Sequence, residues 1–148
     1  MTKVLKVELP FDLRTSYDNN IFFETAHNEK KFILPYCNSC NQYYWPAGFI
    51  CQHCGSKDVE WREASGRGKL YSFVEGRFAF HPAIKEYLPI AICTVDLDEG
   101  PRVFGRLVNY DDIEKVPYDV PVNLVWLEDE AKGITITGWE LEANTEDK

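Results

Sequence analysis

Cys37-Asn38-Ser39-Cys40 is followed, after ten residues, by Cys51-Gln52-His53-Cys54-Gly55. Each Cys-x-x-Cys pair is long enough to fold a turn around one metal ion, and two pairs supply the four soft ligands of a tetrahedral shell. Thiolates satisfy zinc at about 2.3 Å, and a four-sulfur shell leaves no position for water or substrate. Such a site holds structure. The spacing leaves no room for a finger helix and predicts a rubredoxin-like zinc ribbon, two knuckles on adjoining hairpins, with Cys37, Cys40, Cys51 and Cys54 as ligands. Iron fits the same four sulfurs, and an iron form would make the chain a red, redox-active electron carrier where the zinc form is colourless. Gly55 follows the last cysteine where a knuckle turn needs positive φ. His53 lies inside the second pair, and with four cysteines present it is not needed as a ligand.

Disulfides are the competing use of these cysteines. Met1-Thr2-Lys3-Val4-Leu5-Lys6-Val7-Glu8 has no apolar core of a secretory signal. The expected compartment is the reducing cytoplasm, which disfavours disulfides. Cys93, in the apolar run Ile90–Val95, reads as a small core residue of a strand.

The rest of the chain divides around the ribbon. Residues 1–17 show little periodicity and read as an extended N-terminal arm. Residues 18–64 hold a short helix and the ribbon: Asp18 is placed to cap a helix running to about Asn28, with Ile21, Phe22, Thr25 and Ala26 as its apolar stripe. Phe22 and Phe23 are too large for so short a helix to bury, and they require the ribbon, the next domain or a partner. Lys31–Tyr36 reads as a strand into the first knuckle, and Trp45 as an aromatic that supplies the buried area a small ribbon lacks. Ser65-Gly66-Arg67-Gly68 is a turn cluster and linker. Residues 65–142 then show short strands at regular spacing: Lys69–Phe80, Pro89–Leu97, Pro101–Val108, Pro121–Leu127 and Gly133–Leu141. Asp98-Glu99-Gly100 is the hairpin turn between the second and third. Val122, Leu124 and Trp126 share one face of the fourth strand. Residues 110–119 form a longer polar connection with one helical turn. Five strands with a long third connection predict an OB-fold barrel of Greek-key type. Residues 143–148 are an acidic tail. The fold class is mainly β.

Charge restricts function. The formal net charge is −8, and a phosphate backbone calls for a basic face. Nucleic acid is therefore an alternative supported by fold analogy alone. No apolar run reaches the about 18 residues that span a bilayer, so no membrane partner is expected. The segment Arg62–His81 departs from the trend: Arg62, Arg67, Lys69 and Arg77 against Glu63 and Glu75 give a local +2, leaving −10 elsewhere. None of His27, His53 and His81 stands beside a plausible nucleophile in a recognisable motif. The glycine-rich turn lacks the lysine and the strand–loop–helix setting of a P-loop.

An ordered set of features runs through residues 21–141: Phe22-Phe23-Glu24, the two cysteine pairs with Gly55, Trp45-Pro46, Ser65-Gly66-Arg67-Gly68, Tyr71-Ser72, His81-Pro82, and Asp96-Leu97-Asp98-Glu99-Gly100. With these the chain resembles the zinc-ribbon plus OB-fold proteins described as acyl-CoA-associated, which accompany thiolase-like enzymes. The N-terminal arm and the acidic tail fall outside that pattern. The resemblance implies a non-catalytic accessory subunit carrying structural zinc, assembled two plus two with a thiolase-like catalytic subunit. That complex would make or cleave carbon–carbon bonds of CoA thioesters. Thiolytic cleavage in aromatic or related acid catabolism is the favoured reaction, and aldol cleavage the alternative. CoA thioester is expected only in the assembled complex. Within that reading Arg67, Lys69 and Arg77 are candidates for CoA phosphate, on one face if the strand is unbroken; the competing reading is that they balance nearby acids. Phe22, Phe23 and His81 are candidates for the partner interface, and His81 alternatively orders the loop between the first two barrel strands.

Overall fold

The computed structural model describes residues 2–10 and 19–142. Its elements are β1 (Lys3–Lys6), α1 (Asn20–Glu29), β2 (Ile33–Cys37), β3 (Gln42–Tyr43), β4 (Val59–Glu63), β5 (Arg67–Gly76), β6 (Ile90–Leu97), β7 (Arg102–Leu107), β8 (Pro121–Asp129) and β9 (Ile134–Leu141). Short 3-10 helices occupy Pro82–Tyr87 and Ile113–Lys115.

Strands β5 to β9 close into a five-stranded barrel. β5 pairs antiparallel with β6 and with the start of β8; β6 pairs with β7. The return of the chain makes β7–β9 parallel, and antiparallel β8–β9 pairing completes the ring. The turn at Asp98-Glu99-Gly100 is as expected: Gly100 takes φ +115° and its N–H donates to Leu97 O at 2.9 Å. The long connection after β7 carries its one helical turn at Ile113–Lys115.

The expected first strand, Lys69–Phe80, differs from β5 at both ends. Arg67 and Gly68 already pair with Asn123 and Val122, so the glycine cluster is partly strand and not only linker. Gly68 packs so close to the backbone of Asp96 that any Cβ would strike its carbonyl. At the other end β5 stops at Gly76, and its register shifts between Leu70 and Ser72.

β8 runs to Asp129 and is buried on both faces from Leu124 onward. The cause lies in the N-terminal segment. Where β5 leaves β8, β1 takes its place, pairing in parallel with Lys3 opposite Val125 and Lys6 opposite Glu128. Leu5, Val7 and Leu9 turn inward and Lys6 and Glu8 outward. This period-2 pattern replaces the expected lack of periodicity over residues 3–9; residues 11–17 of the N-terminal arm lie outside the described residues.

The ribbon sheet has the order β3-β2-β4, all antiparallel. It is joined to the barrel by one continuous core. Phe32, just before β2, lies edge-on to Trp126 and Trp139 at ring-centroid distances of 6.2 and 6.0 Å. Both tryptophans are fully buried. α1 lies across β9, and Phe22 packs on Phe32 at 6.0 Å and Trp45 at 5.1 Å. Ile21 is exposed, so the buried stripe of α1 is Phe22 and Ala26 with Phe23 half-buried. Asp18 and the acidic tail lie outside the described residues.

Candidate metal centre and the predicted contact residues

The two knuckles are built alike. In the first, Asn41 N–H donates to Cys37 O at 2.8 Å; in the second, Gly55 N–H donates to Cys51 O at 2.9 Å. Each turn ends on a left-handed residue, Asn41 at φ +57° and Gly55 at φ +77°. Gly55 was legible from its type. Asn41 is less legible, although asparagine is among the few side chains that tolerate this region. The knuckles are tied together by Asn38 N–H donating to Asp58 O at 2.9 Å and by Ser39 Oγ against Ser56 Oγ at 2.8 Å.

This brings Cys37, Cys40, Cys51 and Cys54 together, with all four Sγ atoms within 4.8 Å of one another. Cys37 Sγ lies 3.6 Å from Cys54 Sγ, and Cys40 Sγ lies 3.7 Å from Cys51 Sγ. Disulfide sulfurs would stand about 2.05 Å apart. The edge of a tetrahedron with 2.3 Å metal–sulfur bonds is about 3.8 Å, so the cage has the size of a zinc thiolate shell. Its electrostatics also call for a cation. The Cys40 N–H is the chief cause that draws the Cys37 thiol down to about 6. Burial pushes Cys40 up to about 12. Four thiolates cannot share this space without positive charge among them. The four cysteines are thus positioned to hold a metal ion, consistent with zinc. His53 is not among them; its Nε2 lies 3.3 Å from Tyr43 O. Tyr44, buried beside Cys37 and Cys51, donates from its hydroxyl to Gly48 O at 2.6 Å and closes the loop between the knuckles. Cys93 sits in the barrel core, and burial pushes its thiol up to about 12.

The three cations are not gathered into one pocket. Arg67 Nε is 4.0 Å from Asp98, and Arg77 pairs with Glu75 at 2.8 Å. The register shift after Leu70, with Arg77 beyond the end of β5, removes the unbroken strand on which a shared face depended. Lys69 lies opposite Asp96 and Pro121 and is exposed. His81 precedes the 3-10 helix at Pro82, and its Nδ1 accepts the Ala83 N–H at 3.1 Å, which orders the loop between β5 and β6. Phe22 is 5% exposed, inside this chain's own core. Phe23 lines an open groove of about 300 Å³ with Trp45, Ile92 and Phe104. No helix among the described residues is long and apolar enough to cross a membrane.

A family model described as the C-terminal OB-fold domain of ChsH2 matches residues 61–127. A probable enoyl-CoA hydratase alpha subunit from Thermomonospora curvata is 35% identical over 111 residues, covering 75% of this chain and 34% of that protein. A DUF35 domain-containing scaffold protein from Methanocaldococcus jannaschii is 32% identical over 77 residues, covering 49% of this chain and 52% of that protein. The chain therefore spans between a third and about half the length of these relatives. Among solved structures it is similar to a chain of the "Ltp2-ChsH2(DUF35) aldolase", with TM-score 0.75 and 31% identity over 88% of this chain and 98% of that one. A DUF35-family protein of unknown function from Sulfolobus solfataricus shares the fold at TM-score 0.57 and 14% identity, over 88% of this chain and 89% of that one.

Proposed function

Because the chain belongs to the DUF35 family of OB-fold proteins, we propose that it is a non-catalytic, metal-binding accessory subunit of an enzyme complex acting on CoA thioesters. The observation that carries this reading is the match along 98% of a chain from an aldolase complex. The nature of the centre agrees with it. A metal in a closed four-sulfur shell has no open position for substrate and serves to hold the ribbon. We take the metal to be zinc.

The partner in this reading is a thiolase-like catalytic subunit, assembled two plus two, with carbon–carbon bond cleavage of an acyl-CoA as the reaction. Thiolysis is the reading that follows from the resemblance in sequence. Aldol cleavage is favoured by the similarity to a chain of the Ltp2-ChsH2(DUF35) aldolase. The cations Arg67, Lys69 and Arg77 remain a proposed contact for CoA phosphate in the complex. An exposed phosphate contact is worth about 1 kcal/mol, so Arg67→Glu and Arg77→Glu should each raise the CoA-substrate KM several-fold at low salt with assembly intact. An unchanged KM assigns the two arginines to Asp98 and Glu75 alone.

The test of the function is reconstitution. The chain and a candidate thiolase-like catalytic subunit from the same source are purified apart and assayed singly and mixed, with mass determination of the mixture. The expected result is activity in the mixture, a two-plus-two mass, and no turnover by this chain alone. Turnover by this chain unaided, or full activity of the partner without it, overturns the reading.

A further inference from the structure

The outer face of β5, β6 and β7 exposes three large apolar side chains, Val74, Ile92 and Phe104, among polar ones. Register places Val74, Ile92 and Arg106 in one row across the three strands, and Ser72, Thr94 and Phe104 in the next. Val74 is 65% exposed, Ile92 48% and Phe104 70%. This face runs into the groove of about 300 Å³ between α1, the ribbon and the barrel, whose walls include Phe23, Trp45 and Ile136. Exposed large apolar side chains gathered at the mouth of a groove are a mark of an interaction site.

The groove also contains a charge. Arg106 forms part of its lining. Its Nε is buried and has no hydrogen-bond partner. Among the described residues its guanidinium makes no ion pair. Burial lowers its pKa from the ordinary arginine value without a carboxylate to restore it. A half-buried guanidinium with an unsatisfied donor costs free energy unless an acceptor arrives. Among the described residues the other arginines have such acceptors: Arg62, Arg67, Arg77 and Arg102 each reach a carboxylate. Arg106 therefore stands out as a cation whose acceptor belongs to another molecule.

We propose that this groove seats a segment of the catalytic partner subunit that presents a carboxylate to Arg106 between apolar side chains packed on Phe23, Trp45, Ile92 and Phe104. The proposal rests on the accessory-subunit reading and names the surface and the chemistry of its contact. Charge complementarity selects the occupant. The chain itself carries a net −8, and an acidic partner segment is tolerated only where a cation is left uncompensated.

The experiment is a calorimetric titration of the full chain with the separately purified catalytic subunit. Truncating one member of a buried charge pair weakens binding by on the order of thirtyfold or more. Arg106→Glu and Phe104→Glu are expected to show that loss, with Arg106→Lys retaining part of the affinity. Ile21→Glu, exposed on α1 but not lining this groove, is expected to bind like the parent. Melting curves identify any variant that fails to fold, and Arg106→Gln and Phe104→Ser then take its place. If folded Arg106 and Phe104 variants bind like the parent chain, the groove is not the interface and the accessory-subunit reading stands. If the isolated chain dimerises and Arg106→Glu abolishes it, the occupant is a second copy and the proposal is overturned. If the parent pair does not associate at all, both readings fall together.

Discussion

Two tryptophans explain much of what single residues can and cannot be in this chain. Trp126 and Trp139 fill the barrel interior, and the strand opposite them must give way. Gly105 on β7 does so: a Cβ there would sit 2.5 Å from Trp139 Cδ1 and 3.2 Å from Thr137 O. Trp139 is locked by Phe32 edge-on to it, so it cannot withdraw. Gly105→Ala should therefore cost about 1–3 kcal/mol, the range for overpacking a filled core. A urea titration measures it, and an unchanged midpoint would mean that the indole is free to move. Residue type made some of these roles legible. The four cysteines and Gly55 announce their geometry because few other residues can serve there. Asn41 and Gly105 do not, because their constraint comes from neighbours distant in sequence or from a turn other residue types can make at a cost.

At the scale of elements, the least legible piece was β1. Its alternation of Leu5, Val7 and Leu9 is present in the chain, but its partner is β8, more than a hundred residues on. Strand pairing of that separation is set by the vacancy β5 leaves, which no local pattern encodes. The five barrel strands and the ribbon were legible because each has its own alternation, turn or ligand pair. Their ends were less so, since the register shift in β5 arises in its pairing with β6, a partner some twenty residues on. The attachment of β1 is electrostatic as well as apolar. Lys6 bridges Glu128 and Glu130 at 2.7 and 2.5 Å, Lys30 reaches Glu128 from the end of α1 at 2.5 Å, and Leu9 N–H donates to Asp129 Oδ2 at 2.8 Å. The Lys30 ammonium, followed by Lys6, holds the Glu128 carboxyl at about 2, below its ordinary 4.5. A folded pKa below the unfolded one stabilises the fold above about pH 4.5, and that contribution disappears as pH falls toward 2. Glu128→Gln should be less stable than the parent at neutral pH and should lose less stability between about pH 5 and pH 2. Urea midpoints across that range test it; parallel curves for the two proteins would remove Glu128 from the acid transition.

For the whole molecule, the metal centre and the groove are connected by a short mechanical path. The second knuckle carries Gln52 and His53. Gln52 Nε2 donates to Trp45 O at 3.1 Å, and His53 Nε2 lies 3.3 Å from Tyr43 O. The segment they brace holds Trp45, which stands against Phe22 and walls the groove beside Phe23. Metal binding to a site this small is folding free energy for the ribbon around it. Removing the metal should therefore release Trp45 and blunt the groove, while the barrel, whose interior around Val95 and Leu70 contains none of the four ligand cysteines, keeps its fold. Chelation of the purified chain, or Cys54→Ser, is expected to weaken binding of the proposed catalytic subunit about tenfold or more, as large as the loss of one well-packed aromatic anchor. The β-sheet circular dichroism of the barrel should persist. Calorimetry on the metal-free chain reads this without recourse to activity. Restoring zinc should restore affinity, because the ligands are preserved when the metal is chelated and lost when Cys54 is replaced. Full affinity of the metal-free chain would disconnect the ribbon from the groove and leave the metal with a purely local role.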